Sequence, residues 1–199
     1  MKVTLLHASP LWLAAHACRM SHDNHNKSDS KFGVTGTKDM ELIERVGNKL
    51  KHKSILEQLV YHFDIDDISR ACLQELSRHR TARLTVKSTR YTLNKMKPED
   101  NFMDYLVSVS PEIDDMNVIQ LKAIAYSNKS NDIKKYMLPE AFTTSLIWQI
   151  DGRNLQNFLT LRCSNEALWE IRDLSKEIFD NLPDHHKYLY KGCVDEIYW

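Results

Sequence analysis

Leu56-Glu57-Gln58-Leu59-Val60-Tyr61-His62-Phe63-Asp64-Ile65, followed by Asp66-Asp67-Ile68-Ser69-Arg70-Ala71-Cys72-Leu73-Gln74-Glu75-Leu76-Ser77-Arg78-His79, passes from a strand pattern into a helical one. The first half alternates in part and ends in Tyr-His-Phe-Asp-Ile, whose aromatic and β-branched side chains suit a pleated strand. The second half changes period. Ile68, Ala71, Cys72 and Leu76 fall on one helical face, and Asp66 or Asp67 stands where a cap is expected, so 66–79 is predicted to be a helix.

Working outward, residues 1–6 predict a strand and 10–20 a helix. Residues 21–37 are polar, carry Gly33 and Gly36, and predict a loop able to close over a site. Residues 38–51 form a helix with Met40, Ile43 and Val46 on one face. Helices are expected at 110–126, opened by Ser110-Pro111 with Glu112 in the first turn, and at 130–137. Residues 140–150 predict a strand, and 152–162, 165–181 and 184–194 predict helices. With no repeat, low-complexity tract or linker, residues 1–199 are expected to form a single α+β domain, a mixed or antiparallel sheet packed by helices.

The 199 residues carry 27 basic and 27 acidic side chains, a formal charge of zero. A general nucleic-acid binder would carry a basic excess. No apolar run approaches the roughly 18–20 residues of a membrane helix, and the N-terminus lacks the charged and apolar regions of a secretory signal, so it reads as a mature first strand and helix. Cys18, Cys72, Cys163 and Cys193 form no Cys-x-x-Cys pair, which fits small apolar groups in a reducing cytoplasm. His22 and His25, in a polar loop, read as solvated rather than metal-binding.

Arg78 to Lys97 holds seven cations (Arg78, Arg80, Arg83, Lys87, Arg90, Lys95, Lys97) and no acid. Such a run is a solvated basic face, a nucleic-acid groove or a site for a small anion. Arginine predominates at its start, and the planar guanidinium suits bidentate phosphate binding. Lys87-Ser88-Thr89-Arg90-Tyr91 mixes hydroxyls and cations on a stretch expected to be irregular, where backbone N–H groups also bind phosphate. No Gly-x-Gly-x-x-Gly or Walker loop is present, so a nucleotide would bind by another route.

Arg78-His79-Arg80, seven residues, then Ser88, Arg90 and Tyr91 resembles the signature of the flavin-dependent thymidylate synthases. Asp151-Gly152-Arg153-Asn154-Leu155-Gln156-Asn157-Phe158-Leu159-Thr160-Leu161-Arg162 is similar to that family's C-terminal helix. His52-Lys53-Ser54-Ile55-Leu56-Glu57 resembles its His-x-Ser/Thr-x-x-Glu segment, and Ile68-Ser69-Arg70-Ala71-Cys72 its helix before the signature. The blocks stand in the family's order over nearly the whole chain.

The resemblance implies reductive methylation of dUMP to dTMP. Methylenetetrahydrofolate donates the carbon and NADPH reduces a bound FAD. It also implies a homotetramer with active sites shared between subunits, self and small ligands as partners, and neither nucleic acid nor membrane. Carried over residue by residue, dUMP falls to Glu75, Arg78, Val86, Lys87, Ser88, Thr89, Arg90, Ser145 and Arg162. FAD falls to His52, Ser54, Arg78, His79, Arg80, Val86, Asp151, Arg153 and Asn157. Arg162 matches the arginine against the uracil ring, where a fixed cation favours the anionic ring form; a helix-terminal arginine offsetting the dipole is the plainer reading. Ser88 reads as a ligand-binding hydroxyl or a nucleophile, and His52 as a flavin neighbour or a capped surface residue. Four positions depart from the usual pattern: Glu75 for Gln, Val86 for an acid, Ser145 for an arginine and Asp151 for Asn. The other classes open to this sequence are a different FAD- or nucleotide-binding enzyme on the same scaffold, or a nucleic-acid module using 78–97.

Overall fold

The computed structural model describes residues 1–194. The fold is α+β, with a four-stranded antiparallel sheet packed by helices. Its strands are β1 (Lys2–Ala8), β2 (Val60–Ser69), β3 (Arg83–Val86) and β4 (Thr143–Asp151), in the order β1-β2-β4-β3. The helices are α1 (Trp12–Met20), α2 (Thr37–Ile43), α3 (Arg70–Ser77), α4 (Thr89–Thr92), α5 (Pro111–Tyr126), α6 (Asn131–Lys134), α7 (Gly152–Arg162), α8 (Trp169–Asp180) and α9 (Asp184–Lys187). Among the described residues no helix is long and apolar enough to cross a membrane.

The chain divides into two compact units. The first comprises residues 1–2, 65–78 and 84–147; the second comprises 3–64, 79–83 and 148 onward. The core of the first unit gathers Leu93, Phe102, Leu106, Leu121, Ile124 and Phe142. Its longest helix, α5, begins as expected: Pro111 sits in the first turn and the Ser110 hydroxyl accepts from the Ile113 N–H. In the second unit Tyr61, Phe63, Trp148 and Phe158 are fully buried, and Trp148 meets Phe158 edge-to-face at 4.9 Å.

Several expectations are corrected. Residues 66–69 belong to β2, so α3 starts at Arg70 and the Ser69 hydroxyl caps it by accepting from the Cys72 N–H at 2.9 Å. Asp67 adopts the left-handed region at φ 58°, which aspartate tolerates better than most residues. The helix expected over 38–51 is α-helical only to Ile43 and widens into a π turn over Glu44–Lys49. β3 is an additional strand, and the chain from Thr89 to Thr92 is a helical turn rather than irregular. Helix α8 begins at Trp169, four residues later than expected.

The polar segment 21–37 is tied down from both sides. The Asp39 carboxylate, 1% exposed, accepts from Arg19 Nε at 2.7 Å and from the Ser28 and Ser30 hydroxyls, each at 2.6 Å. Asp29 in turn accepts from the Lys38 and Asp39 N–H groups at the start of α2. Burial alone would raise the Asp39 carboxyl. The hydrogen bonds from Ser28, Ser30 and Arg19, with the Arg19 charge, outweigh it and leave the group below its usual range. A second set of buried polar groups surrounds Tyr61: its Oη is 2.8 Å from His186 Nδ1 and accepts from the Tyr190 hydroxyl at 2.9 Å. Burial, with the neighbouring His185 charge, pushes the His186 imidazole down to about 4.

Candidate functional site

Helix α3 ends as its carbonyls run out of partners within the helix: Arg78 is the C-cap, and its N–H reaches back to the Glu75 and Leu76 carbonyls. A turn follows, closed by the Ala82 N–H on the His79 carbonyl at 3.0 Å, and the chain extends into β3.

In the first unit, Arg78 forms a loose ion pair with Glu75, 3.4 Å away on the same helix edge. Val86 is partly exposed, at the end of β3. The Lys87 N–H donates to the Ser145 carbonyl at 2.9 Å, so Ser145 holds this loop through its backbone. Ser88 is the N-cap residue of α4, exposed, with its carbonyl accepting from the Tyr91 and Thr92 N–H groups; Thr89 is buried. Arg90 points to Asp132, donating from Nε at 2.5 Å and from Nη2 at 3.3 Å, a two-pronged pair. The Asn131 side chain also donates to the Arg90 carbonyl at 2.6 Å. Helix α6 thus grips Arg90 at both its head and its backbone. Beside them opens a cleft of about 720 Å³ whose walls include Arg70, Arg90, Asp132, Lys135, Tyr136 and Glu140.

In the second unit, Arg162 Nε donates to His79 Nε2 at 3.0 Å. That bond joins the two most specific sequence blocks. Because a guanidinium only donates, His79 Nε2 is the acceptor, which puts the ring proton of the neutral imidazole on Nδ1. The same ring lies edge-on to Phe158 of α7 at 5.0 Å. Arg162 is the last residue of α7, where a cation also complements the helix dipole, so the plain and the functional readings of this arginine are compatible. Arg80 and Asn157 are exposed. Arg153 pairs with Glu57 at 2.7 Å, which brings the His52–Glu57 segment and α7 together. Asp151 caps α7, accepting from the Asn154 N–H at 3.0 Å and from its side-chain amide at 2.6 Å. Gly152 follows under tight constraint: a Cβ there would lie 2.8 Å from the Leu56 carbonyl oxygen and from the Tyr190 hydroxyl. His52 and Ser54, both exposed, line a second cleft of about 470 Å³ with Cys18, Ser21, His22 and Gln58.

The structure therefore gathers the expected residues in two groups. Glu75, Arg78, Val86, Lys87, Ser88, Thr89, Arg90 and Ser145 belong to the first unit, and His52, Ser54, His79, Arg80, Asp151, Arg153, Asn157 and Arg162 to the second. Asp132, Glu57 and Phe158, which hold Arg90, Arg153 and His79, were not among the expected site residues. Glu57 closes the His52–Glu57 block and Phe158 lies within the Asp151–Arg162 block, whereas Asp132 stands in no block.

A family model described as thymidylate synthase complementing protein matches residues 4–186. The chain is 49% identical over 210 residues to a flavin-dependent thymidylate synthase of Wolinella succinogenes, covering 98% of this chain and 99% of that one. It is 43% identical to a flavin-dependent thymidylate synthase of Helicobacter pylori, with the same coverage. A crystal structure of thymidylate synthase X from Helicobacter pylori, with FAD and dUMP, superposes with a TM-score of 0.90 at 41% identity, over 98% of this chain and 100% of that chain.

Proposed function

The chain belongs to the family of flavin-dependent thymidylate synthases, and we propose how its residues divide that family's work, the reductive methylation of dUMP to dTMP. It is an FAD-dependent methyltransferase. The reading takes residues 1–199 as one domain, working in the cytoplasm as a homotetramer with shared sites. Met116, Ile119 and Tyr126 on α5 are 65%, 68% and 71% exposed, and such large apolar side chains in solvent support a subunit contact.

The observation that carries the division of labour is the hydrogen bond from Arg162 to His79. It fixes the orientation of the Arg162 guanidinium at the end of α7. Arg162 is the catalytic cation: set against the uracil ring, it favours the anionic form and so makes the ring carbon nucleophilic. Arg90, Thr89, Ser88 and Lys87, with Arg78 and Glu75, hold the dUMP phosphate and sugar. Val86 and Ser145 contribute through their backbone. Ser88 acts as a ligand, consistent with its exposed place at the head of α4.

FAD fits the donor set around α7 and the second cleft. Imidazole, hydroxyl and amide groups from His52, Ser54 and Gln58 line a space within the few-hundred-Å³ range of ligand pockets. Arg153 and Asn157 stand one helical turn apart on an exposed face of α7, next to Asp151. His79 and Arg80, with Arg78, supply the signature's contacts. When bound, FAD carries reducing equivalents from NADPH to the carbon donated by methylenetetrahydrofolate. Nucleic acid is not a partner on this reading, since Arg78 and Arg90 already face the acids Glu75 and Asp132.

Purified protein is expected to be yellow, to bind FAD, and to form dTMP from dUMP, methylenetetrahydrofolate and NADPH; a colourless protein that takes up no FAD refutes the reading. Arg162→Ala is expected to retain FAD and lose turnover by about 10²–10³-fold, the usual scale for removing one electrostatic contact to a developing anion. Light scattering is expected near four times 23.3 kDa.

A further inference from the structure

The cleft of the first unit contains two cations that none of the sequence blocks assigns. Arg70 opens α3, and its backbone is fastened to the segment before β4. The Arg70 N–H donates to the Phe142 carbonyl at 3.1 Å and the Ala71 N–H to the Glu140 carbonyl at 3.2 Å. The guanidinium is thus delivered to the cleft wall by rigid elements. Its own hydrogen bonding is incomplete. Nε is buried without a hydrogen-bond partner, and Nη2 lies 4.0 Å from Glu140, beyond hydrogen-bond reach. The other Glu140 oxygen is taken by Gln74 at 2.7 Å. A buried donor left without an acceptor is unfavourable, so the position gains from any anion that enters. Lys135 lies on the same cleft, exposed, one residue beyond α6. Arg90 is the third cation, with its fork on the Asp132 carboxylate.

Three cations against two carboxylates leave the lining with a positive excess, and the arginine forks suit tetrahedral phosphate oxygens. We propose that Arg70 and Lys135 bind the phosphate monoester of the nucleotide together with Arg90, and that the Asp132 carboxylate occupies the same guanidinium until the phosphate replaces it. This rests on the assignment of Arg90 to the dUMP phosphate. The ligand chemistry is a phosphate dianion within 720 Å³ of open cleft, enough for a nucleotide.

The test uses the FAD-loaded enzyme and compares dUMP with deoxyuridine, which lacks the phosphate. Arg70→Gln and Lys135→Gln are each expected to raise the Kd and KM for dUMP about tenfold or more, the scale of one charge-assisted hydrogen bond. Deoxyuridine affinity, FAD content and kcat at saturation are expected to stay as in the parent. Inorganic phosphate, competing against dUMP, is expected to be weakened in parallel. Arg70→Lys, which keeps the charge, is expected to recover part of the loss. Unchanged dUMP affinity in both Gln variants overturns the proposal, as does an equal loss for dUMP and deoxyuridine, which marks a structural role. Lys135→Gln keeps the question open to test if Arg70→Gln fails to fold. A parent enzyme with no FAD uptake or no dTMP formation refutes the functional reading instead, and is scored before any variant is made.

Discussion

Arg19–Asp39 and Arg90–Asp132 are both two-pronged arginine–aspartate pairs with a shortest contact of 2.5 Å, yet they sit in opposite environments. The side chains of the first pair are 10% and 1% exposed; those of the second are 58% and 61% exposed. The first also collects two serine hydroxyls, which complete the carboxylate's hydrogen bonding in a place water does not reach. The second is open to solvent on a cleft wall. Arg19 brings Nε and Nη2 to one oxygen, Oδ1, while Arg90 spans both oxygens of Asp132; burial decides the use. A buried pair holds a fold because losing one partner strands a charge, whereas an exposed pair exchanges its carboxylate for water or a ligand at little cost.

The strongest way to break this contrast is Asp39→Ala. It leaves the Arg19 guanidinium buried without its partner, and the expected loss is about 3–5 kcal/mol in urea unfolding. The sign with pH follows from the depressed Asp39 carboxyl. Its contribution is complete above the usual carboxyl value and is lost as the pH falls through the folded one, so the variant and the parent are expected to converge in acid.

His186 sharpens the same lesson with a group buried in its neutral form. The folded chain holds its proton only below about 4, while the unfolded chain takes one up below 6.5, so the parent is expected to lose stability between those values as the pH falls. His186→Gln is expected to flatten that slope, by on the order of 1–3 kcal/mol across the window, read from thermal unfolding at several pH values. An unchanged slope would place the pH sensitivity elsewhere.

Asp132→Ala carries the smallest expected effect on stability, at most about 1 kcal/mol, because both partners are exposed. Its effect on ligand is expected to be the reverse of a loss: dUMP binds more tightly once the carboxylate no longer competes for Arg90. A stability loss matching that of Asp39→Ala would erase the contrast.

Much of this fold was legible in the sequence where local chemistry was unambiguous. Ser110-Pro111-Glu112 announced α5, and the β-branched run at 140–150 announced β4. The boundary at 66–69 was misread for a physical reason. Ile68 stands in helical register with Ala71, Cys72 and Leu76, and Asp66 and Asp67 offer caps, but β2 continues to Ser69, which caps α3 itself, with Asp67 in the left-handed region. β3 is only four residues long with one half-buried side chain, Leu84, so it offered no alternation to detect. The π turn at 44–49 follows a period that apolar spacing of 3.6 does not report. For the site, the residue types were legible and the partners were not. Arg90 meets Asp132 across 42 residues, and Arg162 meets His79 across 83. Spacing along the chain carries no trace of either contact.

The Arg162–His79 bond also sets a schedule for the chain as it is made. Arg19 and Asp39 are only twenty residues apart, so their loop can close soon after both have left the ribosome. His79 emerges 83 residues ahead of Arg162. From Tyr91 until Arg162 emerges, the nascent chain holds the complete signature without the arginine that bonds His79, so this contact forms late in synthesis, after much of the surrounding structure has been translated.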